Sequence, residues 1–256
     1  MTTSQPIQLS ELKQTAQSGD YWLISGVLDQ PLESLCAFYT LNTELANSET
    51  KQACSESGHS TVSLSLFDYQ HPTLKLLCEQ PLSDTLIKQG NLTIRPQAQS
   101  ALDFSRDQTT LFVASDLGIG PLFYVAKQLK NSGHKHLALL HASQGFAFAV
   151  KPAQIMLADF PDEAIGACSL LEDWKIANRL ASDLGLPGCL DGSLTDLITP
   201  WLNAENHRQL EQPLQWQLLH FDGNGVNEHK HDPSQNLQAI VAKVPWLSYQ
   251  VFRNFP

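Results

Sequence analysis

The stretch from Thr109 to Leu129, TTLFVASDLGIGPLFYVAKQL, limits the fold more than any other part of the chain. It opens with a continuous apolar run, as a strand buried on both faces requires. It then turns through two glycines one residue apart. It closes with Leu122, Val125, Ala126 and Leu129 along one face of a helix. Pro121 fits the first helical position, where its missing N–H costs nothing. Lys127 and Lys130 lie near the helix end, where cations suit the dipole. A doubly buried strand feeding a helix predicts a parallel sheet built of βαβ units. HLALLHAS and QIMLADF read as further strands of that sheet, and LQWQLLHFD as its last. CSLLEDWKIANRLASDLG reads as a helix capped by Gly185, and LTDLITPWLNA as a helix bent at Pro200.

Before about Phe104 the pattern changes. TVSLSLFDY alternates Val62, Leu64 and Leu66 with small polar residues, the period of a half-buried strand. YWLISGVL, CAFYTLN and NLTIRP read as strands, TLKLLCEQ as a short helix, and residues 43–60 as a surface loop. The first seventeen residues are polar and read as a short helix or a loose arm.

Charge and composition exclude several classes of function. The 256 residues carry 16 Lys and Arg against 26 Asp and Glu, a formal charge of −10. Such a chain is repelled by phosphate backbones and anionic lipid, so neither nucleic acid nor a membrane surface is expected as partner. No apolar run reaches the roughly 18–20 residues of a membrane helix. The first residues lack the pattern of a signal peptide, which points to the cytoplasm. The five cysteines have no short metal or redox spacing and read as buried thiols. His134 and His136, and His229, His231 and Asp232, read as loop residues; no metal site is expected. Beside Asp196, Asp191-Gly192 reads as a turn, and Ser193 or Asp191 as a helix N-cap.

The turn itself has the make of an anion cradle. A helix N-terminus leaves backbone N–H groups unpaired, and glycines let that backbone approach a phosphate. On Gly118, Ile119 and Pro121 the sequence resembles the G-G-x-G-I-A-P loop of the ferredoxin–NADP reductase superfamily, which includes the electron-transfer subunit of dihydroorotate dehydrogenase. Gly120 stands in place of the loop's alanine. LPGCLDGSLTDL is similar to the family's C-G-P element, with Cys189 or Gly192 marking it, and with Ser193 beside it. In the barrel half, Gly19 and Tyr21 are similar to its G-Q-F strand. Tyr39 and Thr40 are similar to its R-x-Y-S, and Thr73 to the serine of its G-x-x-S near a helix start. The resemblance spans roughly residues 18–221.

It implies a reduced antiparallel β-barrel-like domain over residues 1–105 and a parallel-sheet nucleotide-binding-type α/β domain over 106–222. A C-terminal extension over 223–256 carries Trp246, Tyr249, Phe252 and Phe255; it is expected to pack back on the body, or else to bind a partner through these aromatics. The cofactors it implies are FAD or FMN and NAD(P)H, with a protein electron acceptor or a larger complex as partner. Ser115, Asp116, Leu117, Gly118, Ile119, Gly120 and Pro121 would hold a pyrophosphate, and Tyr39, Thr40 and Thr73 would face the flavin. Cys189, Gly192 and Ser193 would shape the nicotinamide pocket across the same crevice.

Four departures remove physical parts of that binding. Ala37 replaces the arginine whose guanidinium pairs with flavin phosphate. Gln70 replaces the glycine of G-x-x-S. Ser115 and Asp116 replace the two leading glycines, and a carboxylate about 4 Å from a phosphate opposes it by about 1 kcal/mol even in water-like surroundings. Only about 18 residues precede Gly19, where the family's barrel needs two more strands, so open barrel edges are expected. Two readings follow: an NAD(P)H- and flavin-dependent electron-transfer protein, or a non-catalytic descendant acting as a binding or protein-interaction module.

Overall fold

The computed structural model describes residues 5–42, 61–97, 100–223 and 233–254. The loop read over residues 43–60, the cluster His229, His231 and Asp232, Cys54 and Phe255 lie outside them.

The N-terminal strands are β1 (Ile7–Ala16), β2 (Trp22–Val27), β3 (Phe38–Asn42), β4 (Thr61–Gln70) and β5 (Thr73–Cys78). A short helix α1 (Asp84–Gln89) and β6 (Leu92–Pro96) follow. They form a closed antiparallel barrel in the order β1-β2-β5-β4-β3-β6. The barrel is therefore complete, contrary to the open edges expected from the short N-terminal stretch. One strand does the closing. Residues 7–16 form a strand rather than a helix or an arm: Ile7–Leu9 pair with β6, while Ser10–Ala16 pair with β2. A register shift between Ser10 and Lys13, with Glu11 at φ 51°, bends the strand so that it reaches both neighbours. TLKLLCEQ is likewise a strand rather than a helix. Leu74, Leu76 and Cys78 fill the barrel, and Leu77 faces out into a second core.

The second half follows the strand–turn–helix reading. β7 (Thr109–Ser115) leads through a single 3-10 turn (Asp116–Gly118) into α2 (Ile119–Leu129), and β8 (His136–Ala142) comes next. The two-residue strands β9 (Lys151–Pro152) and β10 (Gly166–Ala167) pair with each other. They are followed by α3 (Ser169–Asp173), β11 (Ala177–Ser182), β12 (Leu190–Asp191) and α4 (Leu194–Glu211). The chain ends in β13 (Trp216–Asp222), α5 (Pro233–Val241) and β14 (Leu247–Arg253). The main sheet is six-stranded and parallel, in the order β12-β11-β8-β7-β13-β14.

Three local readings differ. CSLLEDWKIANRLASDLG holds a one-turn helix and then strand β11, so Gly185 caps no helix. QIMLADF is not a strand. Its start is held by the buried Glu172, whose Oε1 accepts the N–H groups of Gln154 (2.8 Å) and Ile155 (2.9 Å). LQWQLLHFD is not the last strand, because the tail adds β14 beside it. That packs the tail back on the body, with Trp246 and Phe252 buried. His136 is also buried rather than in a loop; its Nε2 lies 3.1 Å from the Leu129 carbonyl oxygen.

The sheet has a core on each face. On one, α4 and α5 cover Leu111, Val113, Leu139 and Leu218. There Trp201 meets Trp216 and Trp246 edge-on at 5.1 and 6.1 Å. On the other, α2 lies between the sheet and the barrel. Leu122, Val125 and Phe123 of α2 share a core with Phe38 and Leu77 from the barrel strands and Phe112 and Phe221 from the sheet. An ion pair crosses the same seam, from Lys127 of α2 to both oxygens of Asp68 on β4 (2.9 and 3.0 Å).

The closure by β1 makes a stability prediction. Leu9 is 1% exposed inside the barrel, so Leu9→Ala is expected to cost about 2–5 kcal/mol, read from the urea midpoint. A loss within error of zero would mean that β1 is not part of the barrel core.

Candidate functional site

In parallel sheets, ligands bind beyond the carboxyl ends of the strands. Here β7 ends there at Ser115, and the glycine turn follows. Asp116 takes a left-handed backbone, φ 46°, a region that Asp tolerates better than most residues. Every residue from Ser115 to Pro121 is buried.

Three segments bury the turn. The first is the end of β13. A Cβ on Gly118 would run into the carbonyl group of Phe221, and one on Gly223 would collide with the backbone nitrogens of Leu117 and Gly118. The Gly223 N–H donates to the Ser115 carbonyl at 3.1 Å. Beside it, Ser115 Oγ donates to Asp222 Oδ1 at 3.3 Å. The second is barrel strand β4. A Cβ on Gly120 would lie 2.6 Å from Ser65 Oγ and 2.8 Å from the Leu66 carbonyl oxygen. Both glycines of the motif are thus demanded by protein packing.

The third segment is the strap after β8. The Ser143 N–H and Oγ–H both donate to Asp116 Oδ1, at 2.8 and 2.9 Å. The strap then lies against the barrel at Gly19 and carries Phe146 and Phe148 over α2. Rings run unbroken from barrel to strap. Phe67 meets Phe123 at 5.7 Å, Phe123 meets Phe148 at 6.0 Å, and Phe148 stacks on Phe146 at 5.0 Å.

The other expected site residues are dispersed. Tyr39 points into the barrel core, and its hydroxyl oxygen accepts the Cys36 N–H at 3.2 Å. Thr40, next along the strand, is half-buried. The aromatic side chain that β3 presents to the α/β half is Phe38. Thr73 sits at the hairpin between β4 and β5, not at a helix start. A serine at a helix start occurs instead at Ser83, whose Oγ accepts the Leu86 N–H at 3.3 Å. Cys189, Gly192 and Ser193 flank β12 at the sheet edge, three strands and so about 14 Å from β7. The structure does not bring them to the Gly118 turn. Ser193 caps α4 in a reciprocal box with Asp196, and burial raises the Cys189 thiol to about 11. Ile119 and Leu117 belong to the core between the two halves.

Other residues, all but Tyr21 passed over by sequence reasoning, gather around Asp116 instead. His141, one strand across from Ser115, places Nε2 3.0 Å from Asp183 Oδ1. Tyr21 and Glu79 of the barrel half lie within electrostatic reach of Asp116. Burial lifts the Asp116 carboxyl above its ordinary range, opposed by the Ser143 hydrogen bonds and by His141 and reinforced by Asp183. Glu79, an exposed residue, is shifted up by the partial burial of its carboxyl and by the Asp116 charge. Tyr21 is raised by burial and by both carboxylates. Among the described residues, Asp116 Oδ2 is buried with no hydrogen-bond partner. His141, Ser143 and Asp183 carried no motif. Their only signal was position, at or just past the ends of strands.

These residues do not fit a flavin or a pyridine dinucleotide. The backbone N–H groups a pyrophosphate would take face Gly223. Asp116 brings negative charge to the same turn, the seam is filled by phenylalanine rings, and Ala37 offers no guanidinium.

No family model and no curated protein matches the sequence. Solved structures match its fold. An intact type IV self-sufficient cytochrome P450 monooxygenase is 16% identical, TM-score 0.52, over 96% of this chain and 28% of that one. The flavohem-like FAD/NAD binding domain of nitric oxide dioxygenase from Vibrio cholerae O1 biovar El Tor is 11% identical, TM-score 0.54, over 97% of this chain and 99% of that one. The ferredoxin reductase in carbazole 1,9a-dioxygenase is 10% identical, TM-score 0.56, over 97% of this chain and 69% of that one. The chain spans under a third of the length of the first of these. At such identities the likeness is one of fold: the barrel-plus-parallel-sheet fold of ferredoxin-reductase-like FAD/NAD-binding domains.

Asp116 yields a prediction with a definite sign. Its folded pKa is raised above the ordinary 3.8, so the folded state holds the proton more tightly than the unfolded chain does. Stability therefore falls as pH rises from about 3.8 through the folded pKa, and stays lower above it. Asp116→Asn keeps an acceptor for Ser143, suits the left-handed backbone and carries no charge. The variant should be more stable than wild type at neutral pH by about 1–3 kcal/mol, with the advantage shrinking toward pH 4. Melting curves across that range check it; an advantage independent of pH would contradict the assignment.

Proposed function

We propose that this chain is a binding or protein-interaction module on a ferredoxin-reductase-like scaffold, without flavin or pyridine-nucleotide chemistry of its own. The observation that carries this reading is the contact of the Gly118 turn with Phe221–Gly223. An anion cradle works because unpaired backbone N–H groups are open to a phosphate. Here the chain's own backbone occupies that space, and a buried carboxylate stands beside it. The other site features point the same way. Tyr39 is spent on Cys36, and the Phe67–Phe123–Phe148–Phe146 series fills the seam. Fold alone does not confer function.

The second reading, electron transfer between NAD(P)H and a flavin or protein acceptor, is favoured by the shared fold, since neighbours of that fold bind FAD and NAD. It requires the strap and the end of β13 to move off the turn together. Among the described residues no helix is long and apolar enough to cross a membrane, which suits either reading.

The purified protein separates them. A ligand at a hundred times its Kd stabilises the native state by about 2.7 kcal/mol, so a nucleotide site shows up in a melting curve. The expected result is a colourless protein that takes up no added FAD or FMN and melts at the same temperature with and without NADH or NADPH. A flavin absorbance band after gel filtration, or an NAD(P)H-dependent rise in Tm, would overturn the proposal.

A further inference from the structure

We propose that the cavity at the β4–β5 hairpin binds a small phosphate monoester through Lys75, His71, Thr73 and Gln70. The site belongs to the barrel. The hairpin tip at Gln70 lies four residues, about 13 Å, along β4 from the Gly120 contact at Leu66. It therefore adds a ligand class to the binding-module reading without depending on the closed turn.

Asp68, Gln70, His71, Pro72, Thr73 and Lys75 line a cavity of about 340 Å3. Gln70, His71 and Pro72 at the tip are exposed, so the cavity opens to solvent. Its size is at the small end of ligand pockets, which run from about 300 to 1,000 Å3. Strand register assembles the lining. Asp68 pairs with Lys75, and Gln70 with Thr73. Residues two apart on a strand share a face. Leu74 and Leu76 fill the barrel, so these four residues stand together on its outer face. Directly opposite Cβ atoms are about 4.5–5.5 Å apart, and successive positions on one face about 7 Å apart. Four side chains so placed can converge on one small group, with His71 and Pro72 closing the end.

The lining is rich in unused donors. Among the described residues, the side chains of Gln70, His71, Thr73 and Lys75 take part in no hydrogen bond or ion pair. The one carboxylate in the block is already engaged. Both oxygens of Asp68 accept from Lys127 Nζ, at 2.9 and 3.0 Å, which offsets its charge. The Lys75 ammonium is left as a cation with no counter-ion among the described residues. An amide, a hydroxyl and an imidazole stand around it, and each can donate. The group that fits is an oxyanion. A planar carboxylate is best met by an arginine fork, and no arginine lines the cavity. A phosphate instead offers three strong acceptor oxygens and takes lysine as a point charge. The volume equals about eleven waters at about 30 Å3 each, which leaves room beside the phosphate for a short polyol arm.

Titration calorimetry of the full chain tests this, with glycerol 3-phosphate, inorganic phosphate, malate and glycerol as separate probes. Glycerol 3-phosphate should bind with one-to-one saturation, inorganic phosphate more weakly, and malate and glycerol more weakly still. A chain of charge −10 repels phosphate at large, so saturation reports local donors. The affinity for glycerol 3-phosphate should fall at least tenfold in Lys75→Gln and at least threefold in Thr73→Val, both checked for an intact melting transition. It should be unchanged in Lys151→Gln, which removes an exposed cation elsewhere. No saturable binding of glycerol 3-phosphate, or equal affinity in Lys75→Gln and wild type, overturns the inference. Malate binding tighter than the ester would make this a carboxylate site, and inorganic phosphate binding as tightly as the ester would make the free ion the ligand. Either result overturns the assignment.

Discussion

The close approach of two backbones, at Gly118 and at Phe221–Gly223, is the constraint on which the rest of the molecule turns. It sits at the centre of the sheet, where β7 and β13 end side by side. The absence of a side chain at Gly118 lets the turn lie flush on β13, and the Gly223 N–H ties the two ends together. That placement sets the start of α2. One residue beyond Ile119, Gly120 lets the same helix press onto barrel strand β4, and Lys127 joins Asp68 farther along. Barrel and sheet therefore meet across a helix whose first turn has no slack. A side chain at either glycine would push against backbone on one side or buried barrel on the other.

The same closeness decides the chemistry. A glycine turn before a helix can serve an anion or can serve packing, and it cannot serve both with the same N–H groups and the same space. Here packing has taken it. In the proposed reading the surroundings of the turn are anionic rather than cationic. Asp116 replaces a glycine of the family's loop, Asp183 and Glu79 add to it, and Ala37 supplies no guanidinium. The strap from Ser143 to Phe148 completes the change, because Asp116, the residue that opposes phosphate, is also the residue that holds the strap down.

Much of this was legible in the sequence, and the failures have physical causes. The continuous apolar runs of β7, β8 and β13 announced a parallel sheet because both of their faces are buried. The replacements at Ala37, Ser115 and Asp116 marked where the chain departs from the motifs it resembles. The bulge near Glu11 hid β1: it breaks the period of two, so Leu9 and Leu12 recur three apart, as in a helix. β5 was hidden because Leu77 faces a second core, which fills the gaps in its alternation. Tyr39 was read as a ligand-facing residue, but β3 turns its phenol inward and Phe38 outward. Cys189 was matched to the family's C-G-P element by local composition. The strand that pairs with β7 on that side is β13, ending in Asp222–Gly223, and pairing order is a tertiary fact that no local pattern encodes.

The central claim is that the glycine turn is closed by the chain itself. Amide hydrogen exchange over the segment from Val113 to Leu122, with and without NADPH and FAD, tests it most directly. The account predicts slow exchange at Leu117, Gly118 and Ile119 that neither cofactor alters. Fast exchange at these amides, slowed when NADPH or FAD is added, would contradict it.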